Sequence, residues 1–407
     1  MSMMGKRWCV RAPCKVSYEV VDCPGVFDPG NPALLSVGRV EGGRRFVVVD
    51  ENVYRHHGEQ IDRYFSHHGI SVHLMLLPGG EQNKSLDNWL AVLRELDTFP
   101  LHRRDEPVIA IGGGVITDLV GYAASCYRRG IPHIQVPTTL MGQVDAAVGV
   151  KTGINFNGHK NRLGSFAPPA RVLRDTHLLT TLPVRHLRNG MAEIIKLAVI
   201  KDAGLFARLE YFGVHSLATA FQYSQGVKLI DTAITGMLDE LSGNLFEARL
   251  ARCVDFGHTF SYGLETRFAD RLLHGEAVLL DILLSVHLAC QRNLLAAAEV
   301  ERVWQLVRNL GMAPDASLLD VERVWHALMD RIEHRNGDQQ VPLPAGLGRC
   351  VFVNDLTITE VAKAIKALEI SSVIAGRTAI DNTVVNNRVV ASGLHAEGEP
   401  HRAGSEH

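Results

Sequence analysis

Short apolar runs and stretches of helical spacing take turns along the first third of the chain. Phe46-Val47-Val48-Val49, Val72-His73-Leu74-Met75-Leu76-Leu77 and Pro107-Val108-Ile109-Ala110-Ile111 have strand length and carry β-branched residues. Between the first two lies a polar, helix-compatible stretch with Tyr54 and Ile61. After Pro78-Gly79-Gly80, residues 84–97 place Leu86, Trp89, Leu90, Val92, Leu93 and Leu96 at helical intervals. The third run enters a triple glycine, Gly112-Gly113-Gly114, and a helix is expected from about Leu119. Strands alternating with helices predict an α/β layer on a mostly parallel sheet. Residues 1–30, with Pro13, Pro24 and Pro29, read as irregular.

The pattern changes after Pro168-Pro169. Helical spacing fills 187–199, 202–212, 225–241, 276–292, 298–310 and 318–332, with a strand-like Val351-Phe352-Val353 and a last helix over 357–368. The expected organisation is an α/β domain over 1–175, a mainly helical domain over 176–370, and a tail over 371–407 rich in Gly, His, Ser and Glu. A chain of 407 residues suits two such domains.

Charge narrows the partners. A formal net charge of −2 gives no electrostatic reason to expect nucleic acid or an anionic membrane. The absence of a signal-like or spanning apolar stretch leads to the expectation of a cytoplasmic protein. Seven scattered cysteines without a C-x-x-C pair argue for free thiols.

Candidate chemistry lies in four places. Gly112–Asp118 follows a strand and precedes a helix, where backbone amides can approach a pyrophosphate, or where the glycines form no more than a tight turn. Asp50, at the end of a strand, could bind ribose hydroxyls or cap a helix. Asp145, Lys151, Lys160 and Asn161 are dotted among glycines and small residues, and with Arg128-Arg129 they could assemble a phosphate-sized anion site or sit in a solvated loop. Glu193 and Lys196 share a helix face inside an apolar run, which calls for a buried pair or a ligand. His258 and His274 each stand beside a glycine; with a carboxylate they would suit a catalytic zinc, although their spacing alone is a weak pattern.

Taken in order, Pro78–Ser85, Gly112–Asp118, Tyr127–Gly130, Pro137–Gly153, His159-Lys160-Asn161, Ala192–Lys196, Gly257–Phe260 and His274–Val278 resemble the dehydroquinate synthase family of sugar phosphate cyclases across roughly residues 40–370. That resemblance implies a Rossmann-like NAD-binding domain, a helical metal-binding domain, and catalysis in the cleft between them. Carried over by motif, it implies Zn²⁺ (or Co²⁺) on Glu193, His258 and His274. It implies NAD against Asp50, Asn52, Glu81, Lys84, Gly113, Gly114, Asp118, Thr138, Thr139 and Thr181. Asp145, Lys151, Lys160, Asn161 and Lys196 would line a sugar phosphate, and Arg129 would reach the phosphate of a neighbouring subunit, which implies a homodimer.

The departures bear on the substrate. Ala251 stands where the family's seven-carbon-acid enzymes carry Arg, Asp255 where they carry Asn, Tyr262 where they carry a second His, and His334-Arg335 where they carry two lysines. Loss of the Arg and gain of Asp255 are expected to repel a substrate carboxylate. Leu241, Asp255 and His334 together are similar to the 2-epi-5-epi-valiolone synthases, which act on the neutral-ended ketose sedoheptulose 7-phosphate. The implied reaction is transient oxidation, loss of phosphate, re-reduction and intramolecular aldol closure. The alternatives are another cyclase of the superfamily (2-epi-valiolone, desmethyl-4-deoxygadusol, 2-deoxy-scyllo-inosose or 3-dehydroquinate synthase) and a metal-dependent polyol dehydrogenase, which would accumulate NADH.

Overall fold

The structure, a computed structural model, describes residues 9, 10, 12 and 15–373. The chain divides into two compact units, Met1–Thr181 and Leu182–His407. Of the tail expected over 371–407, residues 371–373 continue a helix and the rest lie outside the described residues.

The first unit is built on six parallel strands: β1 (Glu19–Asp22), β2 (Arg44–Asp50), β3 (Ser71–Leu77), β4 (Val108–Gly112), β5 (His133–Pro137) and β8 (Arg171–Arg174), in the order β1-β8-β5-β4-β2-β3. The period of two along β2 explains its two cores. Val47 and Val49 face a cluster with Ile61, Tyr64 and Phe65 of α1 (Glu51–His67). Phe46 and Val48 face Val92 and Leu96 of α2 (Leu86–Thr98) and Ile116, Leu119 and Val120 of α3 (Gly114–Cys126). An antiparallel hairpin, β6 (Lys151–Phe156) and β7 (His159–Phe166), completes the unit. Its turn, Asn157-Gly158, has positive φ at both residues, the geometry that suits a two-residue hairpin.

Two expectations need correction here. Residues 1–30 are not wholly irregular, because Glu19–Asp22 pairs in parallel with Arg171–Arg174 at the sheet edge. The helix after the triple glycine begins at Gly114 rather than near Leu119. Glycine is a poor helix former in a helix interior but is tolerated at its first turn, so reading the whole run as a loop placed the start too late.

The second unit is mainly helical: α4 (Val184–Ile200), α5 (Ala203–Ala218), α6 (Ser224–Ser242), α7 (Ser261–Arg267), α8 (His274–Gln291), α9 (Ala297–Asn309), α10 (Val321–His334) and a helix over 358–373, with a short hairpin of β9 (Val341–Pro344) and β10 (Cys350–Val353). Helices α4 and α8 form its centre, which is why apolar residues run almost unbroken through Met191–Ile200 and Ala277–Ala289. Among the described residues no helix is long and apolar enough to cross a membrane, and the six described cysteines are free.

Candidate functional site

In the α/β unit, the residues expected to meet a dinucleotide gather at the C-terminal ends of the parallel strands, where an open α/β sheet offers its ligand crevice. Asp50 ends β2, and its Oδ1 accepts the Asn52 N–H at 2.8 Å, so it does cap α1. Asn52 Oδ1 accepts from Arg55 at 3.0 Å. Gly113 precedes α3 directly, and a Cβ there would lie 2.9 Å from Thr139 Cγ2; a Cβ on Gly114 would lie 3.2 Å from that of Ala146. Both positions therefore keep the start of a thirteen-residue helix bare and close to the β5 end. The Thr138 N–H donates to Gly112 O at 3.0 Å, and Thr139 Oγ1 accepts from Gly142 N at 3.0 Å. Thr181 is exposed at the end of the unit, 3.1 Å from His57 Nε2.

The cofactor and substrate assignments are stitched together in this unit. Lys84, only 4% exposed, reaches Asp118 and donates to Asn161 Oδ1 at 2.5 Å. Desolvation pushes the Asp118 carboxyl up, against the pull of the Lys84 ammonium. Glu81 accepts from Asn155 Nδ2 at 2.8 Å and has Lys160 Nζ at 3.8 Å. Lys151 opens β6, exposed, while Lys160 and Asn161 start β7. They belong to a paired hairpin rather than a loose loop. Asp145 is half-buried in a turn over Gly142–Ala146, its carbonyl accepting from Val148 and Gly149. Arg129 is exposed and has φ 64°, on a turn whose carbonyl is held by Arg103 at 3.2 Å.

In the helical unit three distant side chains converge. One ligand atom each from Glu193, His258 and His274 lies within 4.8 Å of the others. Each is placed by a specific local device. Glu193 projects from the middle of α4, 0% exposed. One turn earlier, Asn189 Oδ1 accepts the Gly275 N–H at 2.6 Å, and a Cβ on Gly275 would strike Asn189 O at 2.0 Å. That close approach is what docks the first residue of α8, His274, beside Glu193. His258 is set by a turn: its N–H donates to Asp255 O at 3.0 Å, with Phe256 at φ −57°, ψ 135° and Gly257 at φ 77°. This is a type II geometry, which wants glycine at its third position.

The two rings are oriented from behind. His258 Nδ1 lies 3.2 Å from Phe256 O, and His274 Nδ1 lies 3.1 Å from Glu265 Oε2. Both Nε2 atoms are thereby left toward Glu193 Oε1, at 3.8 Å and 3.3 Å. Lys196, 2% exposed, forms an ion pair with Glu193 Oε2. Burial alone would push the Glu193 carboxyl up, but Lys196 and then the imidazoles hold it well below the usual carboxylate range. Burial, helped by Lys196, pushes His258 down to about 3. Burial also works against a charge on His274, yet Glu265 and Glu193 outweigh it and hold that ring well above its ordinary value.

Next to this cluster sits Asp255, 7% exposed, facing three guanidinium groups. Arg252 pairs with it directly and also with Glu247; Arg331 and Arg335 approach its Oδ2 at 3.7 Å and 3.5 Å. Arg335 is 1% exposed and also donates to Gln339 O at 2.7 Å. The Arg331 guanidinium lies 4.9 Å from the Tyr262 ring centroid. From the sequence, Asp255 was weighed by its own charge; in the structure its carboxylate is shared among three guanidinium groups, with Glu247 on Arg252 and Asp281 near Arg335 as further acids, and Arg252 is the very next residue after Ala251. Leu241 lies near the end of α6 and lines a small cavity with Asn244, Arg249, Ala251 and Arg252. His334 ends α10, and its side chain lies outside the described residues.

Comparison with known proteins fits this geometry. Residues 74–189 match the 3-dehydroquinate synthase N-terminal family model and 190–331 the C-terminal one, together more than half the chain. The chain belongs to the 3-dehydroquinate synthase family. Within that family it is 46% identical over 366 residues to a 2-epi-5-epi-valiolone synthase of Streptomyces albus, covering 88% of this chain and 89% of the relative. It is 37% identical over 360 residues to a demethyl-4-deoxygadusol synthase of Trichormus variabilis, covering 86% and 87%. Among solved structures, ValA, a 2-epi-5-epi-valiolone synthase from Streptomyces hygroscopicus subsp. jinggangensis with NAD⁺ and Zn²⁺ bound, superposes with TM-score 0.86 at 43% identity over 89% of this chain and 99% of that one.

The donors in this 3-dehydroquinate synthase family member suit a divalent cation on their own chemistry. A carboxylate and two imidazole nitrogens are the three-ligand set of a catalytic zinc with positions left for substrate. Neither oxygen of the fully buried Glu193 makes a hydrogen bond of ordinary geometry, although Lys196 and both imidazoles stand within ion-pair reach. A bound cation would satisfy them.

Several contributors escaped the sequence reading. Glu265 stands seven residues after His258 with no telling spacing; its single signal is a carboxylate following the apolar Leu264. Asn189 and Arg331 looked like ordinary helix polar residues, because what they touch is far away in sequence, and Arg252 looked like a loop residue although its partners Glu247 and Asp255 are close by.

Proposed function

We propose that this chain is a phosphorus–oxygen lyase that cyclises sedoheptulose 7-phosphate to 2-epi-5-epi-valiolone and phosphate, with NAD⁺ and Zn²⁺ (or Co²⁺) as cofactors. The supporting observation is the convergence of Glu193, His258 and His274, in a chain that matches 2-epi-5-epi-valiolone synthases over nearly nine-tenths of its length. Bound NAD⁺ would take up and return a hydride, and the cation would acidify a substrate hydroxyl, so that no net redox occurs.

The protein's own part is to bind, orient and balance charge. In the helical unit, Glu193, His258 and His274 would hold the cation, and Lys196 would offset the carboxylate. Asp255 can accept hydrogen bonds from the hydroxyls of a neutral ketose end, with His334 and Leu241 completing that region. In the α/β unit, Lys151, Lys160 and Asn161 would meet the phosphate, with Asp145 lining the substrate. Asp50, Asn52, Glu81, Lys84, Gly113, Gly114, Asp118, Thr138, Thr139 and Thr181 would hold the dinucleotide. The exposed Arg129 suits a phosphate contact made to a second copy of the chain, hence a homodimer, and the working place of such an enzyme is the cytoplasm.

The deciding experiment incubates the purified protein with sedoheptulose 7-phosphate, NAD⁺ and Zn²⁺. Phosphate release without net NADH, and a product with the 2-epi-5-epi configuration by NMR, are expected. Net NADH accumulation, or a cyclitol of another configuration, overturns the assignment.

A further inference from the structure

Four ionisable groups sit together around the converging ligands: Glu193, Lys196, and the pair made by His274 with Glu265. Glu265 is 2% exposed on α7, and its Oε2 lies 3.1 Å from His274 Nδ1. The other ring, His258, is backed by a neutral acceptor, the Phe256 carbonyl at 3.2 Å. The two imidazoles are therefore not equivalent. One leans on a peptide oxygen and the other on a full negative charge.

The inequality has a reason in charge balance. With both rings neutral, Glu193 and Lys196 cancel, and a dication added to that pair alone would leave two uncompensated positive charges in a buried place. Glu265 supplies a second negative charge, one imidazole away. Its contact with Nδ1 would keep a proton on that side of the ring, so that once a cation displaces the other proton Nε2 would offer its lone pair to the cation. A carboxylate behind a ligating histidine raises the basicity of the nitrogen on the far side of the ring.

Resting on the proposed metal centre, we infer that Glu265 is a positioning residue for that centre, fixing the tautomer of His274 and supplying the second negative charge that lets the site retain a divalent cation. It touches neither substrate nor cation and acts through the ring. Phe256 O does the same for His258 without adding charge, so the His274 side is the one whose loss costs metal affinity.

The test uses full-length Glu265→Gln, which keeps shape and a hydrogen-bond acceptor but removes the charge. Zn²⁺ affinity is read by competition with a chromophoric chelator, and the ligand field by the visible spectrum of the Co²⁺-loaded protein. A 10- to 100-fold weaker affinity, on the order seen for such partners, is expected, together with an altered Co²⁺ band and a melting temperature in saturating metal close to wild type. Wild-type affinity and spectrum in Glu265→Gln overturn the inference, as does a lowered melting temperature with unchanged affinity. If that variant does not fold, Glu265→Asp retracts the carboxylate by one methylene; weaker binding with a shifted Co²⁺ band supports the inference, and unchanged values overturn it. A wild-type protein that binds no metal, or a Glu193→Gln variant that binds as wild type, would instead strike the metal centre itself.

Discussion

Glu193 and Asp255 are both buried acids of the helical unit, and both are ringed by basic side chains, yet the company differs in kind. Glu193 has one lysine and two imidazoles, and imidazoles can give up a proton and offer a lone pair. Asp255 has three arginines, which hold their protons at any working pH and have no lone pair to offer. The first arrangement can exchange its neutralising charge for a metal ion. The second cannot, and can only present a carboxylate held in place. Ring a carboxylate with imidazole and the site becomes a binding site; ring it with guanidinium and the site becomes a fixed, oriented acceptor.

The largest test of that contrast is Glu193→Ala. It is expected to lose stoichiometric zinc and to lower turnover on sedoheptulose 7-phosphate on the order of a thousandfold or more, measured by metal analysis and phosphate release. Full activity in a zinc-free Glu193→Ala protein would erase the distinction. Asp255→Asn should behave in the opposite way. It keeps zinc but leaves three arginines around an uncharged amide, and a buried pair broken on one side costs roughly 3–5 kcal/mol, read by urea unfolding. Equal zinc loss in both variants would mean that the two regions act as one.

A third buried acid, Asp281, sharpens the comparison because it is held by N–H and O–H donors. Phe260 N at 2.5 Å, Ser261 N at 3.0 Å and Ser285 Oγ at 3.2 Å hydrogen-bond to it. Burial pushes its carboxyl up to about 6 in spite of them. Between the ordinary Asp value and about 6 the folded protein keeps a proton that the unfolded chain has released. Stability from this group therefore falls as pH rises through that window, by about 3 kcal/mol in all, and is level above it. Asp281→Asn should flatten that slope in urea unfolding at a series of pH values; a wild-type slope in the variant refutes it. Smallest of all is Arg185→Ala. It breaks the half-exposed, two-pronged pair with Glu276 at 2.7 and 2.8 Å, and surface pairs of this kind contribute less than about 1 kcal/mol. Thermal melts should hardly move.

Much of this was legible in the order of residues. The strand and helix periods placed β2, β3, β4 and most of the helices of the second unit, because a parallel sheet and a central helix pair impose long apolar runs. The hairpin of β6 and β7 was not, since its strands mix lysines, asparagines and glycines with few large apolar residues, although Ile154 joins the core. The prolines at 342 and 344 likewise hid β9, a two-stranded edge where a missing N–H is tolerated. At the site, Glu193, His258 and His274 stood out as charged or imidazole groups in apolar or glycine-rich settings. Asp255 stood out too, but Arg331 did not, and Arg335 was noted only as a departure from the family's lysines: both come from the end of α10 or just past it, dozens of residues away, and only folding brings them to Asp255. Reading Asp255 by its own charge left the guanidinium groups around it out of account.

The tight bend from Asp255 to His258 gives these observations a common scale. Four consecutive residues, closed by one hydrogen bond of 3.0 Å and dependent on a left-handed glycine at φ 77°, tie the acceptor at one end to the imidazole at the other with no slack between them. The side chain at the near end can be exchanged while the spacing to the far end stays the same to within a rotamer. The bend thus works as a calliper, and a bulkier residue in place of Gly257 would open its jaws at both ends together.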